Sequence, residues 1–337
     1  MKKLLLITLL VGLNFGISAQ NTLSYTSNDQ EFRKGLELLD REKYTAASHF
    51  FEKYLESNPD RLLAVEASYY IAFCSMNLDN RQADKYIGKF IDGYPTHPKT
   101  VTARYDAGMF YFRKSEYQEA IANLEQVDIV QVSPEQRAEC IFSLGYSYFI
   151  VKDYEKALPN LEKSQHLDSP YRFASAYYAG YIYFKNGEYD KAIKSFEKAA
   201  ENDTYASVVP FMIVNIYYHQ NEYDKVIEYG EEIISSKQKV SNKNSIILLV
   251  GTVFFAKDDY PNTVKYLSPY VKGRKSSKSA KYRVGYALFQ ENDFDFAELQ
   301  FKQLAGDKDS LGQASAYYLG HCYVKDNNSQ FAKNSFK

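Results

Sequence analysis

Apolar residues recur along this chain at i, i+3 or i+4 and i+7, in paired blocks separated by short polar turns. Each pair of blocks carries one small residue at a fixed place. These sites are Gly35, Ala72, Gly108, Gly145, Gly180, Gly251, Gly285 and Gly320, and Val214 holds the one remaining slot. The period is about 35 residues, which predicts a stack of helix hairpins rather than one globular core. Residues 174–199 show the logic. The first helix carries Tyr177, Gly180, Tyr183 and Phe184, Asn186-Gly187 stops it, and the second helix carries Ala192, Phe196 and Ala199 on one face. Gly180 and Ala192 lack bulk where the two helices cross, and Tyr183, Tyr189 and Phe196 fill the space around that crossing.

An alanine follows the small residue by 12 positions in most units: Ala47, Ala120, Ala157, Ala192, Ala297 and Ala332. An aromatic residue precedes that alanine by three positions at Tyr44, Tyr117, Tyr154, Tyr189 and Phe294. Gly145 with Tyr148, then Tyr154, Ala157 and Leu161, resembles the tetratricopeptide repeat family, as do Gly35, Tyr44, Ala47, Phe51 and Pro59. The family's tryptophan is absent, and its turn proline is kept only in part, at Pro59 and Pro95. The resemblance implies an all-α, right-handed superhelical solenoid over residues 29–337, with about eight full repeats and a truncated ninth. The ninth stops just after Ala332 and Phe336, which leads us to expect further sequence beyond Lys337 to cap the stack. The sixth unit departs most. Val214 and Val226 replace the glycine and alanine, and Gly230 replaces a large residue, so either its packing is compensated or the stack has an irregular joint there.

Lys2 and Lys3, an apolar run from Leu4 to Leu13 and Ile17-Ser18-Ala19 read as a signal peptide over residues 1–19, followed by a linker over 20–28. The run is short of the roughly 20 residues a membrane span needs. No cysteine stands at the expected cleavage point, so the chain is not expected to be a lipoprotein. Export to the periplasm, or to the outer membrane through a partner, follows. The turn Tyr94-Pro95-Thr96-His97-Pro98 resembles those of Gram-negative periplasmic repeat proteins of outer-membrane assembly and Tol–Pal coordination. Net charge is -1, which points away from nucleic acid and from direct membrane binding. Cys74, Cys140 and Cys322 lie in first helices of the second, fourth and ninth units. At roughly 8–10 Å per stacked helix, no pair comes within the roughly 7 Å that a disulfide allows, so three buried thiols are expected.

Motifs for phosphate loops, nucleophile elbows, zinc or dithiol chemistry are absent from the sequence. The five histidines fall in separated units, so no metal site, cofactor or catalytic set is expected. First helices of tetratricopeptide repeats line the concave face. By that resemblance the inward sites include Tyr105, Met109, Phe142, Tyr146, Tyr177, Tyr181, Asn215, Tyr282 and Tyr286. These side chains either pack neighbouring helices together or contact a protein or peptide partner. Tyr146, Tyr181 and Tyr286 are the better contact candidates, because the family more often has a polar residue there. Aromatics fill the lysine sites of the family's carboxylate-gripping members, so an apolar or extended segment suits the groove better. A second candidate is a basic edge of Lys237, Lys239, Lys243, Lys272, Arg274, Lys275, Lys278 and Lys281, in a stretch where Tyr260 to Gln290 holds no acidic residue. It reads either as a docking edge for an anion or as a solvated lysine-rich turn. Together these features suggest an exported scaffold for protein–protein interaction without catalysis. The alternatives are a recognition arm of a larger enzyme or signalling protein, and glycan binding by the aromatic face.

Overall fold

The computed structural model describes residues 29–57, 59–271 and 277–336. The expected signal peptide (1–19) and linker (20–28), with Lys272, Arg274 and Lys275 of the basic edge, lie outside them. The described residues form 19 helices and no strand. The described residues divide into two compact units, one ending at Phe110 and the other beginning at Tyr111.

In the first unit, α1 (Gln30–Asp40), α2 (Tyr44–Glu56), α3 (Arg61–Asn77) and α4 (Ala83–Gly93) pack each against the next, and α1 also touches α3. The unit ends within α5 (Lys99–Arg113). The second unit continues with α6 (Tyr117–Leu124), α7 (Pro134–Ile150), α8 (Tyr154–Gln165), α9 (Arg172–Lys185), α10 (Tyr189–Ala200) and the single-turn α11 (Asp203–Ala206). It closes with α12 (Val209–His219), α13 (Tyr223–Ser235), α14 (Lys243–Ala256), α15 (Tyr260–Val271), α16 (Lys278–Gln290), α17 (Phe294–Lys302), α18 (Ser310–Lys325) and α19 (Ser329–Ser335). Within it, hairpin follows hairpin, and first helices pack in a row: α7 on α9, α12 on α14, α14 on α16 and α16 on α18. No helix among the described residues is long and apolar enough to cross a membrane.

Several helix starts carry side-chain caps. Ser133 Oγ accepts from the Gln136 amide at 3.2 Å, and Gln136 Oε1 accepts from the Ser133 amide at 3.2 Å. Asp60, Asp153, Ser277, Asp293 and Asp309 cap α3, α8, α16, α17 and α18. Every hairpin turn then uses one left-handed residue, seven positions after the small site. These are Glu42, Asp79, Ser115, Lys152, Gly187, Asn221, Asp258, Asn292 and Asn327.

The small residue makes room for a specific neighbour 16 positions on. A Cβ at Gly35 would lie 2.7 Å from Phe51, one at Gly180 3.0 Å from Phe196, and one at Gly285 3.0 Å from Phe301. Leu161 and Leu267 fill the same place against Gly145 and Gly251. In the sixth repeat the sizes are exchanged. Val214 takes the glycine's place, its partner 16 positions on is Gly230, and Val250 of α14 fills the space, with its Cγ2 2.3 Å from where a Gly230 Cβ would be. Packing there is compensated, as the first of the two sequence readings holds. An insertion accompanies it: α11 packs against both α9 and α12, and Tyr205 on it sits 5.1 Å from the Tyr177 ring.

Candidate functional site

The first helices carry their candidate contact residues three positions before and one position after each small site. Tyr105 and Met109, at 7% and 6% exposure, are buried and belong to the core, which corrects their reading as contact residues. Phe142, Tyr146, Tyr177, Tyr181, Asn215, Tyr282 and Tyr286 are half-buried.

The helix row brings these rings into two clusters. In one, Tyr146 lies 5.8 Å from Phe142, 4.9 Å from Tyr178 and 5.8 Å from Phe112, and Phe149 lies 5.5 Å from Tyr181. In the other, Tyr286 lies 5.6 Å from Phe255, 6.2 Å from Tyr282 and 5.1 Å from Tyr318. Their hydroxyls lie among other phenols. The Tyr146 phenol neighbours that of Tyr178, and the Tyr286 phenol neighbours those of Tyr260 and Tyr318. The Tyr181 hydroxyl neighbours that of Tyr177 and has no hydrogen-bond partner among the described residues. Asn215 donates its Nδ2 to the Phe211 carbonyl at 2.7 Å, which fixes the amide and leaves Oδ1 to accept. Burial and the neighbouring phenols push the Tyr178 and Tyr318 hydroxyls above the usual tyrosine range, so the rings stay neutral near pH 7.

The basic edge is less basic than its sequence. Lys278 forms ion pairs with Asp307 at 2.8 Å and Asp309 at 3.2 Å, two acids supplied from beyond the acid-free stretch. This corrects Lys278 as a free docking cation. Lys243 donates to the Ser236 carbonyl at 3.3 Å, whereas Lys237 and Lys239 stand exposed. Lys281 sits on the floor of a groove between α15 and α17.

Sequence reading missed a set of interactions on the second-helix side. Three positions after the small site stand Tyr148, Tyr183 and Tyr217, and eight further on stand Lys156, Lys191 and Lys225. Each lysine nitrogen lies over its tyrosine ring, at 5.1, 5.2 and 5.4 Å from the centroid. Tyr148 donates its hydroxyl to Glu125, and Tyr183 donates to Glu162, each glutamate coming from the preceding repeat. The signal was a spacing within the repeat, and it escaped because Tyr148 and Tyr183 were read as packing residues of the repeat, while the lysines and glutamates were not singled out.

All three cysteines are free and buried. No group of three or more histidine, cysteine and acidic side chains is placed to hold a metal among the described residues.

This arrangement of hairpins in one register defines an α-helical repeat protein. Residues 173–204 match the family model of the tetratricopeptide repeat, and the same register recurs along the chain, which resembles that family. No curated protein matches the chain. Among solved structures it is similar to the apo form of RapI, at 13% identity and TM-score 0.50, over 92% of this chain and 95% of that one. It is also similar to a tetratricopeptide repeat protein from Parabacteroides merdae (12% identity, TM-score 0.43, 77% of this chain and 98% of that one). A third is the pilF protein of Pseudomonas aeruginosa (20% identity, TM-score 0.40, 61% and 90%).

Proposed function

We propose that this chain is an exported scaffold that binds an extended, largely apolar segment of another protein in the bacterial envelope, with no catalysis of its own. The fold is one that serves protein–protein interaction. The observation that carries the reading is the half-buried aromatic row of the first helices in the second unit, with the unengaged Tyr181 hydroxyl and the Asn215 Oδ1 beside it. A rigid aromatic floor loses little side-chain entropy on binding, and the two polar atoms can pair with a partner's backbone. Tyr181 and Asn215 stand at equivalent positions of the fifth and sixth repeats, so one strand-like segment can meet both. The envelope setting rests on the amino-terminal sequence pattern.

The test is a crosslinking pull-down from envelope fractions with wild-type protein and with the Tyr181→Ala, Asn215→Ala double variant. The partner should be lost from the double variant while its melting temperature stays within a few degrees of wild type. Equal recovery would remove the groove from consideration. Amino-terminal sequencing of the mature protein should begin after Ala19, and a retained Met1 would overturn export.

A further inference from the structure

The lysine that covers a tyrosine in the fourth, fifth and sixth repeats stands 11 positions after the small site. At the same place the eighth repeat has Phe296 and the ninth has Phe331. Both rings are exposed, at 59% and 55%, and Leu299, one turn beyond Phe296, is 54% exposed. The second-helix side therefore changes from a lysine-covered surface to an apolar one.

The change adjoins a groove of about 940 Å³. Its walls are α15, through Val264 and Ser268, and α17, through Phe296 and Leu299, with Leu288 and Lys281 of α16 as its floor. Wall residues recur at i, i+4 and i+7 on α15 and at i, i+3 and i+4 on α17, with Gln303 just past its end, so the groove follows the helices for about two turns. Two polar groups within it are unmet. The Lys281 ammonium has no acidic partner among the described residues, in contrast to Lys278, and the Gln300 Oε1 is buried without a hydrogen-bond donor. Asp293 on the rim caps α17, accepting from the Phe296 amide, and forms no ion pair with Lys281.

We propose that this groove docks an amphipathic helix of a partner protein, one that presents bulky apolar residues around a carboxylate. The helical shape follows from two parallel walls with an apolar floor. The carboxylate follows from Lys281, a cation in a largely apolar groove that forms no ion pair among the described residues. The site has second helices as its walls and the opposite side of α16 from the aromatic row as its floor.

The probe is a fluorescein-labelled, designed amphipathic helix with leucines on one face around a single glutamate, read by anisotropy against the full chain. Its counterpart has lysine in place of that glutamate. The glutamate peptide should bind wild type at least about ten-fold tighter than the lysine peptide, a difference of about 1.4 kcal/mol. Lys281→Glu should reverse the preference. Phe296→Lys, which restores the residue of three other repeats and so is compatible with folding, should weaken binding about ten-fold at unchanged melting temperature. Tyr181→Ala should leave peptide binding intact, which separates this surface from the first-helix row. Equal binding of both peptides, or equal binding by Phe296→Lys and wild type, would overturn the proposal. So would self-association in sedimentation, or adsorption to phosphatidylcholine vesicles, that Phe296→Lys abolishes while the glutamate peptide goes unbound.

Discussion

Eight of the nine hairpin turns place a side chain where the backbone is left-handed, and only Gly187 meets that demand with glycine. In the left-handed region a Cβ crowds the carbonyl, at a cost of about 1–2 kcal/mol, less for asparagine and aspartate. Lys152, at φ 65°, gets no such local relief. Lys152→Gly should therefore stabilise the protein by about 0.5–1 kcal/mol after the greater chain entropy of glycine is subtracted. Thermal unfolding checks it, and an unchanged or lowered melting temperature would show that the fourth turn is not strained. This position was illegible in the sequence because its identity varies among Glu, Asp, Ser, Lys, Asn and Gly; what repeats is a backbone angle. The small site itself was legible, because one residue type recurs wherever helices cross. Gly312 was not. It lies outside the repeat pattern, yet a Cβ there would sit 2.0 Å from the Asp307 carbonyl oxygen.

Between elements, the repeat is a set of volumes shared across helices. A glycine facing phenylalanine and a valine facing glycine fill a crossing in different ways, and the sixth repeat shows the second solution completed by a residue from the next hairpin. Gly230 and Val250 should therefore be coupled. Gly230→Ala places a methyl against the Val250 side chain and should cost about 1–3 kcal/mol. Val250→Ala should cost about 2 kcal/mol or more by leaving a cavity. The double variant should be more stable than the sum by at least about 1 kcal/mol, since the new methyl enters the space that valine vacates. Strict additivity in denaturant melts would mean that the two helices adjust by moving apart. The composition of this crossing could be read from the chain, but the source of the filling atom could not, because it lies in another hairpin. The same limit explains the basic edge. Counting charges from Tyr260 to Gln290 finds no acid, yet α18 begins with Asp309 against Lys278. It also explains Tyr105 and Met109, whose register resembles that of Tyr177 and Tyr181 but whose surroundings bury them.

Across the molecule, titratable groups buried in both units give the fold a common response to alkali. Burial pushes the Cys74 and Cys322 thiols up to about 12 and the Cys140 thiol up to about 11. Burial, followed by the glutamate that each meets, likewise raises the Tyr148 and Tyr183 hydroxyls. Each of these groups keeps its proton in the folded chain at a pH where the unfolded chain has released it. Stability from them is complete below the unfolded thiol value of about 8.5 and falls as pH rises toward the folded values. Denaturant midpoints should be level from neutral pH to about pH 8.5 and decline steadily up to about pH 12, the thiols acting first and the phenols from about pH 10. Replacing the three cysteines with alanine should delay the onset of that decline to the phenol range. A thiol reagent such as Ellman's should accordingly react with none of the cysteines in native protein at pH 8 and with all of them after unfolding. Fast native-state labelling, or a midpoint unchanged at pH 11, would mean that these first helices open far more readily than their packing implies.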